Sequence, residues 1–395
     1  VHSLRSGDTF VRRGDKTVKI GSVEITRLKY EKGAIKFEDE LSGISDLECL
    51  DQGLLESFRK DIGSVEMNVW QFLKDNGLAA GKNGNRQLVK GALLLFAKNP
   101  AVVLKKKCSI KISHYHGSEP SFTGDPNFVS RPFTVEGPLF YQIQQTVKYF
   151  DDVVKFSPPK LKGAAFSPSF MIPPWVFQEA VTNAVIHRNY AVEDDVQVRF
   201  FSDRVEVESP GTYPGHITVA NIRKERFARN PMILRVLNRF ANPPNLDIGE
   251  GVNRMFEVMR EANLYEPLYV PAENRPHSVL VVLWNMQKIE YWDVVSDYLD
   301  KKGSITNAQA RKITGISDTL KISPNMIYNL GLYEKQDYVE SKFEKTLLIM
   351  KLSDEEHAKR NHNLYDHYLY IIRNYYLLKN SEFLSNFRLR ARTSL

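Results

Sequence analysis

Cysteine is scarce. Only Cys49 and Cys108 occur in 395 residues, with no metal-ligand spacing around them, a usage that fits a reducing cytoplasm. No apolar run approaches the roughly 20 residues needed to span a bilayer, and the N-terminus lacks a signal-peptide pattern, so no membrane partner is expected. Charge of one sign is also in short supply. Lys and Arg number 54 against 47 Asp and Glu, a net charge of +7, which permits contact with nucleic-acid phosphates without demonstrating it. What is present is the composition of a soluble globular protein, 42% hydrophobic and 26% charged, in a chain too long for one typical core.

The most informative stretch runs from Pro173 to Gly211. Pro173 and Pro174 suit a helix start, where a missing N–H forfeits no intrahelical bond. Trp175, Val176, Ala180, Val181, Ala184 and Val185 follow at the spacing of an apolar stripe. Glu179, Asn183 and His187 then stack at i, i+4 and i+8 on a neighbouring face. Three polar residues at that spacing also occur on ordinary solvated helix faces, but an acid, an amide and an imidazole on one ridge can hold a water, a hydrated metal ion and a phosphate. Val196, Val198, Phe200 and then Val205, Val207 alternate with polar residues, predicting two strands joined at Ser202-Asp203-Arg204. The second strand runs into Ser209-Pro210-Gly211. Further on, Gly249-Glu250-Gly251-Val252-Asn253-Arg254-Met255 opens a helix behind a glycine pair, and amides at a helix start favour phosphate.

Taken in order, Glu179 to Asn183, the Asn-Ala-Val-Ile-His-Arg-Asn-Tyr run, Ser-Pro-Gly, Arg229-Asn230-Pro231 and Gly-Glu-Gly-Val-Asn-Arg-Met resemble a large family of bacterial and archaeal transcriptional regulators. Its usual layout is an AlbA/Schlafen-like N-terminal domain, a connecting region, a GHKL-like ATP-binding domain and a winged helix-turn-helix. The resemblance covers about Phe10 to Leu352. It implies an α+β chain, a GHKL-like (Bergerat-type) two-layer α/β sandwich followed by a winged helix and a C-terminal helix. It also implies ATP and Mg2+ as cofactors. Glu179 matches the acid that orients the attacking water, and Asn183 the amide that holds magnesium. His187, Arg188, Gly211, Arg229, Gly249 and Gly251 are carried over as nucleotide-binding positions. One departure stands out: Ser209, with Pro210 behind it, replaces the aspartate that would accept from the adenine amino group, leaving Glu208 or Asp203 as substitutes to be weighed against plain strand and turn roles.

The rest of the chain is read around that centre. Residues 1–30 resemble the closing strand and turn of the N-terminal domain, and the chain is expected to be a C-terminal fragment of a longer protein or, alternatively, a natural short form. Residues 31–84 form a helical connecting region, with short amphipathic helices around Leu54, Leu55 and Phe58 and around Val69, Phe72 and Leu73. The GHKL-like domain is expected over 85–286. Within it, the apolar run from Leu88 is expected to be a buried helix that stops at Asn99-Pro100. A strand is expected over Ser109–Tyr115, an exposed loop over Gly117–Gly137, a helix over Leu139–Val154 and a last strand over Val279–Trp284. His114 and His116 would share a strand face but lack a third ligand. Asn221 to Asn242 carries Arg223, Lys224, Arg226, Arg229, Arg235 and Arg239 and is read either as a lid over a triphosphate or as a basic surface.

Residues 287–353 read as a winged helix-turn-helix around Gly315, with Lys321, Ser323, Asn325 and Tyr328 as candidate DNA contacts. The second helix is expected around Ser317 to Leu330, where Pro324 either interrupts it or lies in its first turn, which would move its start to Ser323. Residues 354–395 carry a tyrosine-rich helical face for packing on the body or on a second subunit, so DNA and a homo-oligomer are the partners expected. Two functions follow: a regulator in which ATP, hydrolysed slowly or not at all, biases a state that the winged helix reports to DNA; or a nucleotide-independent scaffold of a nucleic-acid-processing or phage-defence complex.

Overall fold

The computed structural model describes residues 2–286, apart from residues 4–8, 14–15, 32, 82–84, 122–123, 157–159, 163–164, 168–169, 245–248, 271 and 273. The chain divides into two compact units at Met286. The expected winged helix, its candidate DNA contacts Lys321, Ser323, Asn325 and Tyr328, and the tail helix lie outside the described residues.

The first unit opens with an antiparallel meander, β1 (His2–Ser3), β2 (Thr9–Arg13) and β3 (Lys16–Ile20), followed by α1 (Ser22–Glu31). A 3-10 turn spans Phe37–Asp39. The two short amphipathic helices are α2 (Gln52–Asp61), which buries Leu54, Leu55 and Phe58, and α3 (Val69–Asp75), which buries Phe72 and Leu73. Each begins where a side-chain oxygen meets otherwise unpaired amides: Asp51 accepts from Leu54 N at 2.9 Å, and Asn68 from Trp70 N at 3.0 Å. A small ribbon, β4 (Ala79–Ala80) with β5 (Gln87–Leu88), leads into α4 (Lys90–Phe96), buried from Gly91 onward. Asn99-Pro100 does more than stop this helix. Asn99 caps the next one, α5 (Pro100–Leu104), by accepting from Val102 N at 3.2 Å, with Pro100 in the first turn, where proline is tolerated.

Next come β6 (Ile110–Tyr115), β7 (Phe128–Val135), α6 (Leu139–Phe156), a ribbon of β8 (Lys160–Lys162) and β9 (Ala165–Ser167), and α7 (Pro174–His187). The chain continues through β10 (Val196–Phe200), β11 (Arg204–Pro210), α8 (Pro231–Asn238), α9 (Gly251–Glu261), β12 (Leu268–Tyr269) and β13 (Ser278–Trp284). Six strands form one sheet in the order β12-β13-β11-β10-β6-β7. The β6–β10 pair is parallel and its other pairs are antiparallel. Strand β7 corrects the expectation of an exposed loop over Gly117–Gly137. It is an edge strand, exposed along most of its length, so the inside–outside alternation that marks a half-buried strand is missing from its sequence.

Helices α6 and α7 lie side by side, α7 packing on β11 and against α9. Phe150 of α6 and Phe177 of α7 stack at 4.3 Å between centroids, with Phe200 of β10 beneath at 5.7 Å from Phe177. One hydrophobic cluster runs through these layers and into the N-terminal helices, from Phe37 to Leu283. The fold is therefore mixed α+β, with α7 laid across the middle of the sheet.

Candidate functional site

Alternation along β11 decides which side chains can meet α7. Val205, Val207 and Ser209 point to the helix layer; Ser209 Oγ donates to Ala184 O at 2.7 Å. Glu206 and Glu208 therefore point the other way. Glu208 accepts from Arg199 at 2.7 Å, from Ser278 Oγ at 2.5 Å and from Arg275 at 3.3 Å. Those partners hold its carboxyl below the usual range despite burial. Asp203 sits in the hairpin turn and binds Arg204 at 3.1 Å. Both acids weighed as substitutes for the missing aspartate thus have strand and turn roles.

On α7 itself, Asn183 Nδ2 donates to Glu179 Oε1 at 3.0 Å, one helical turn away. The donation leaves the amide oxygen of Asn183 as a separate acceptor. Burial raises the Glu179 carboxyl, opposed by the Asn183 bond and by the charge of Arg254. Glu179 rests against the start of α9. A Cβ placed on Gly251 would lie 1.8 Å from Glu179 Oε1, so only glycine permits this approach. Glu250, the N-cap of α9, makes no side-chain capping bond, and a helix start leaves its first amides without intrahelical partners. The preceding Gly249 has φ +67° and lies under Arg226, whose Cζ would be 2.3 Å from an added Cβ. Arg223 joins this edge, donating to Asn253 Oδ1 at 3.2 Å and covering the Phe256 ring at 4.5 Å.

The other end of α7 is built differently. Arg229 is 5% exposed and donates to His187 O at 3.0 Å and Thr212 O at 2.7 Å. Asn230 Nδ2 donates to Ile186 O at 2.7 Å and Arg188 O at 2.9 Å. Two side chains from a distant segment thus satisfy carbonyls that a helix C-terminus leaves unpaired, and the cation complements its dipole. Burial pulls the Arg229 guanidinium down to about 10 and, with the Arg229 charge, the His187 imidazole to about 4. Gly211, φ +102°, packs against Asn189, whose Cβ would lie 2.5 Å from an added Cβ.

The structure therefore brings Glu179, Asn183, Gly249 and Gly251 together at one end, and His187, Gly211 and Arg229 at the other. Arg188 stands apart. It is buried, binds the carbonyls of Lys107, at 3.3 Å, and Asp194, and lies 4.7 Å from the Tyr190 ring centre. The basic segment from Asn221 to Asn242 also divides. Its second half, α8, buries Met232, Ile233, Val236 and Leu237, and Arg235 and Arg239 bind Asn76. Its first half carries Arg223 and Arg226 to the α9 edge.

Sequence reasoning missed Arg254, which lies 4.7 Å from the Trp175 ring centre and whose charge acts on Glu179. Its place beside Gly-Val-Asn at the start of a helix was the available signal. Tyr269, buried near Glu179, carried no signal at all. Among the described residues no cluster of three His, Cys, Asp or Glu could hold a metal ion, and no helix is long and apolar enough to cross a membrane. His114, paired with Tyr149 at 3.4 Å, is a half-buried strand residue whose imidazole burial holds below its usual value.

Residues 193–283 match the family described as "Putative ATP-dependent DNA helicase recG C-terminal". The match includes Gly211, Arg229, Gly249 and Gly251 and begins after Glu179 and Asn183. No protein of curated function matches the chain. Three solved chains do. One is similar to this chain at 19% identity and a TM-score of 0.48, the DIP2311 protein from Corynebacterium diphtheriae; the similarity covers 79% of this chain and 64% of that one.

Proposed function

We propose that the first unit is a GHKL-like nucleotide-binding domain. In this reading it binds a nucleoside triphosphate, ATP by the description of the matched family, along α7, with the phosphates between Asn183 and the start of α9. The observation that carries this is the Glu179–Asn183 pair held against Gly251. The acid lies against a helix start that has no Cβ in the way and whose N-cap makes no side-chain bond, the amide is bonded to the acid, and Arg223, Arg226 and Arg254 belong to the same edge. Magnesium suits this donor set. It keeps several waters and needs only one or two protein ligands beside substrate phosphates, and the Asn183 amide oxygen offers one. Once bound, the ion would neutralise phosphate charge. Glu179, with its raised carboxyl, would orient a water, and hydrolysis would be slow or absent.

The nucleotide biases a conformation or assembly that the C-terminal winged helix reports to DNA through Lys321, Ser323, Asn325 and Tyr328. In cells the protein acts in the cytoplasm. Glu179→Ala is the direct test: ATP binding persists and any phosphate release disappears. Unchanged release would remove Glu179 from the site. For DNA, affinity falls as salt rises and falls again in Lys321→Ala. A salt-insensitive interaction, or none, would favour the scaffold reading.

A further inference from the structure

Trp175, Glu179 and Asn183 follow one another at intervals of four residues along α7, so they share a ridge, about 6 Å apart along the axis. Trp175 is half-buried and packs against the main hydrophobic cluster, which holds its ring in place. Over that ring, 4.7 Å from its centre, lies the guanidinium of Arg254, an exposed residue in the first turn of α9, three positions after Gly251. Neighbouring arginines are committed elsewhere. Arg223 donates to Asn253 and, at 3.8 Å, shares Glu257 with Arg260, which also holds Glu266 at 3.0 Å. Arg254 differs: among the described residues no carboxylate forms an ion pair with it, although its charge acts on Glu179. Glu179 bonds Asn183 instead.

We infer that Arg254 recognises the terminal phosphate of the bound nucleotide, with the Trp175 ring as its resting place when no triphosphate is present, so that triphosphate is preferred to diphosphate. This role rests on the reading that the phosphates lie between Asn183 and the start of α9, with Glu179 orienting the attacking water. Such a water approaches the last phosphorus of the chain. The terminal phosphate therefore lies nearest Glu179, one turn from Trp175 and within reach of a side chain whose charge already acts on Glu179. A diphosphate stops one group short. The exchange of partners is favourable, because a cation over a partly exposed ring is held weakly, whereas a guanidinium–phosphate pair is charge-assisted and frequently bidentate. Arg254 is on the surface, so the transfer requires a rotamer change in one long side chain and no opening of the core.

The test is titration of the full chain with ATP and with ADP, each with magnesium, read by calorimetry and by tryptophan emission, in the parent, Arg254→Gln, Arg254→Lys and Trp175→Phe. The parent is expected to bind ATP more tightly than ADP and to change its emission with ATP alone, as the guanidinium leaves the Trp175 ring. Arg254→Gln should weaken ATP binding about tenfold or more, the scale of a lost charged contact, and ADP binding by less than about twofold. Arg254→Lys keeps the charge without the planar fork and should recover part of the ATP affinity. Trp175→Phe, which keeps a ring beneath Arg254, should abolish the emission change and so exclude the other tryptophans as its source. Equal weakening of ATP and ADP in Arg254→Gln, or no weakening of either, overturns the inference while leaving the triphosphate reading intact. An emission change that persists in Trp175→Phe overturns the place given to Trp175. Failure of the parent to bind either nucleotide overturns both readings.

Discussion

The two ends of α7 use the same kinds of side chain for opposite purposes. At the Glu179–Asn183 end the two side chains bind each other, and Glu179 rests against a helix start whose N-cap, Glu250, makes no side-chain capping bond. At the His187 end, Arg229 and Asn230 reach in to close off four backbone carbonyls, those of Ile186, His187, Arg188 and Thr212. By helix geometry the first end offers backbone donors, and the amide oxygen of Asn183 beside Glu179 adds an acceptor. The second is tied into the fold and leaves, among the described residues, the isolated nitrogens Arg229 Nε and His187 Nδ1. The same contrast separates effects on binding from effects on stability: substitutions at the first end should change ligand affinity with little change in folding, and those at the second should change folding first.

The largest effect is expected at the second end. Arg229→Ala would strip donors from two buried carbonyls and should lower unfolding free energy by about 3 kcal/mol, read from urea melts. A change below about 1 kcal/mol would show that the guanidinium is not holding α7.

The α8 segment that follows Arg229 and Asn230 is fixed by Glu38, which accepts from Met232 N at 2.9 Å and Ile233 N at 2.8 Å. Burial outweighs those bonds and pushes the Glu38 carboxyl up to about 7, above its ordinary 4.5. A carboxyl raised in the folded state contributes stability that is complete below pH 4.5 and is lost as pH rises through 7. From this group the loss should be roughly 2–3 kcal/mol. Glu38→Gln should remove that part of the slope, measured as urea midpoints at pH 5 and pH 8; an unchanged slope would assign the titration elsewhere.

At the first end, Gly251→Ala should move unfolding free energy by less than about 1 kcal/mol, since alanine suits a helical position. Its methyl would nevertheless displace the Glu179 carboxylate and weaken triphosphate binding by about tenfold or more, a size typical of a displaced charged contact. A destabilised protein with normal binding would reverse the comparison.

How much of this was legible in the sequence depends on how local the cause is. The hairpin of β10 and β11 was readable because Val196, Val198, Phe200, Val205 and Val207 alternate on a sheet with one face under helices. The start of α7 was readable from Pro173-Pro174, and the Glu179–Asn183 contact from i, i+4 spacing. Strand β7 was not, because an exposed edge strand has no burial alternation to report. Nor was the capping of α8 by Glu38, 194 residues distant, or the closure of α7 by Arg229 and Asn230. Such pairings depend on tertiary approach, which residue spacing does not encode. Arg188, adjacent to His187 in sequence, shows the converse: one residue along a chain leaving its helix turns a side chain into the interior.

The central claim is that Asn183 and the start of α9 form a working triphosphate site. Calorimetric titration of ATP with magnesium into the purified chain and into Asn183→Ala tests it most directly. Saturable binding to the parent chain, reduced at least about tenfold in a variant that remains folded, is the result predicted. Equal binding to both, or binding to neither, would contradict it.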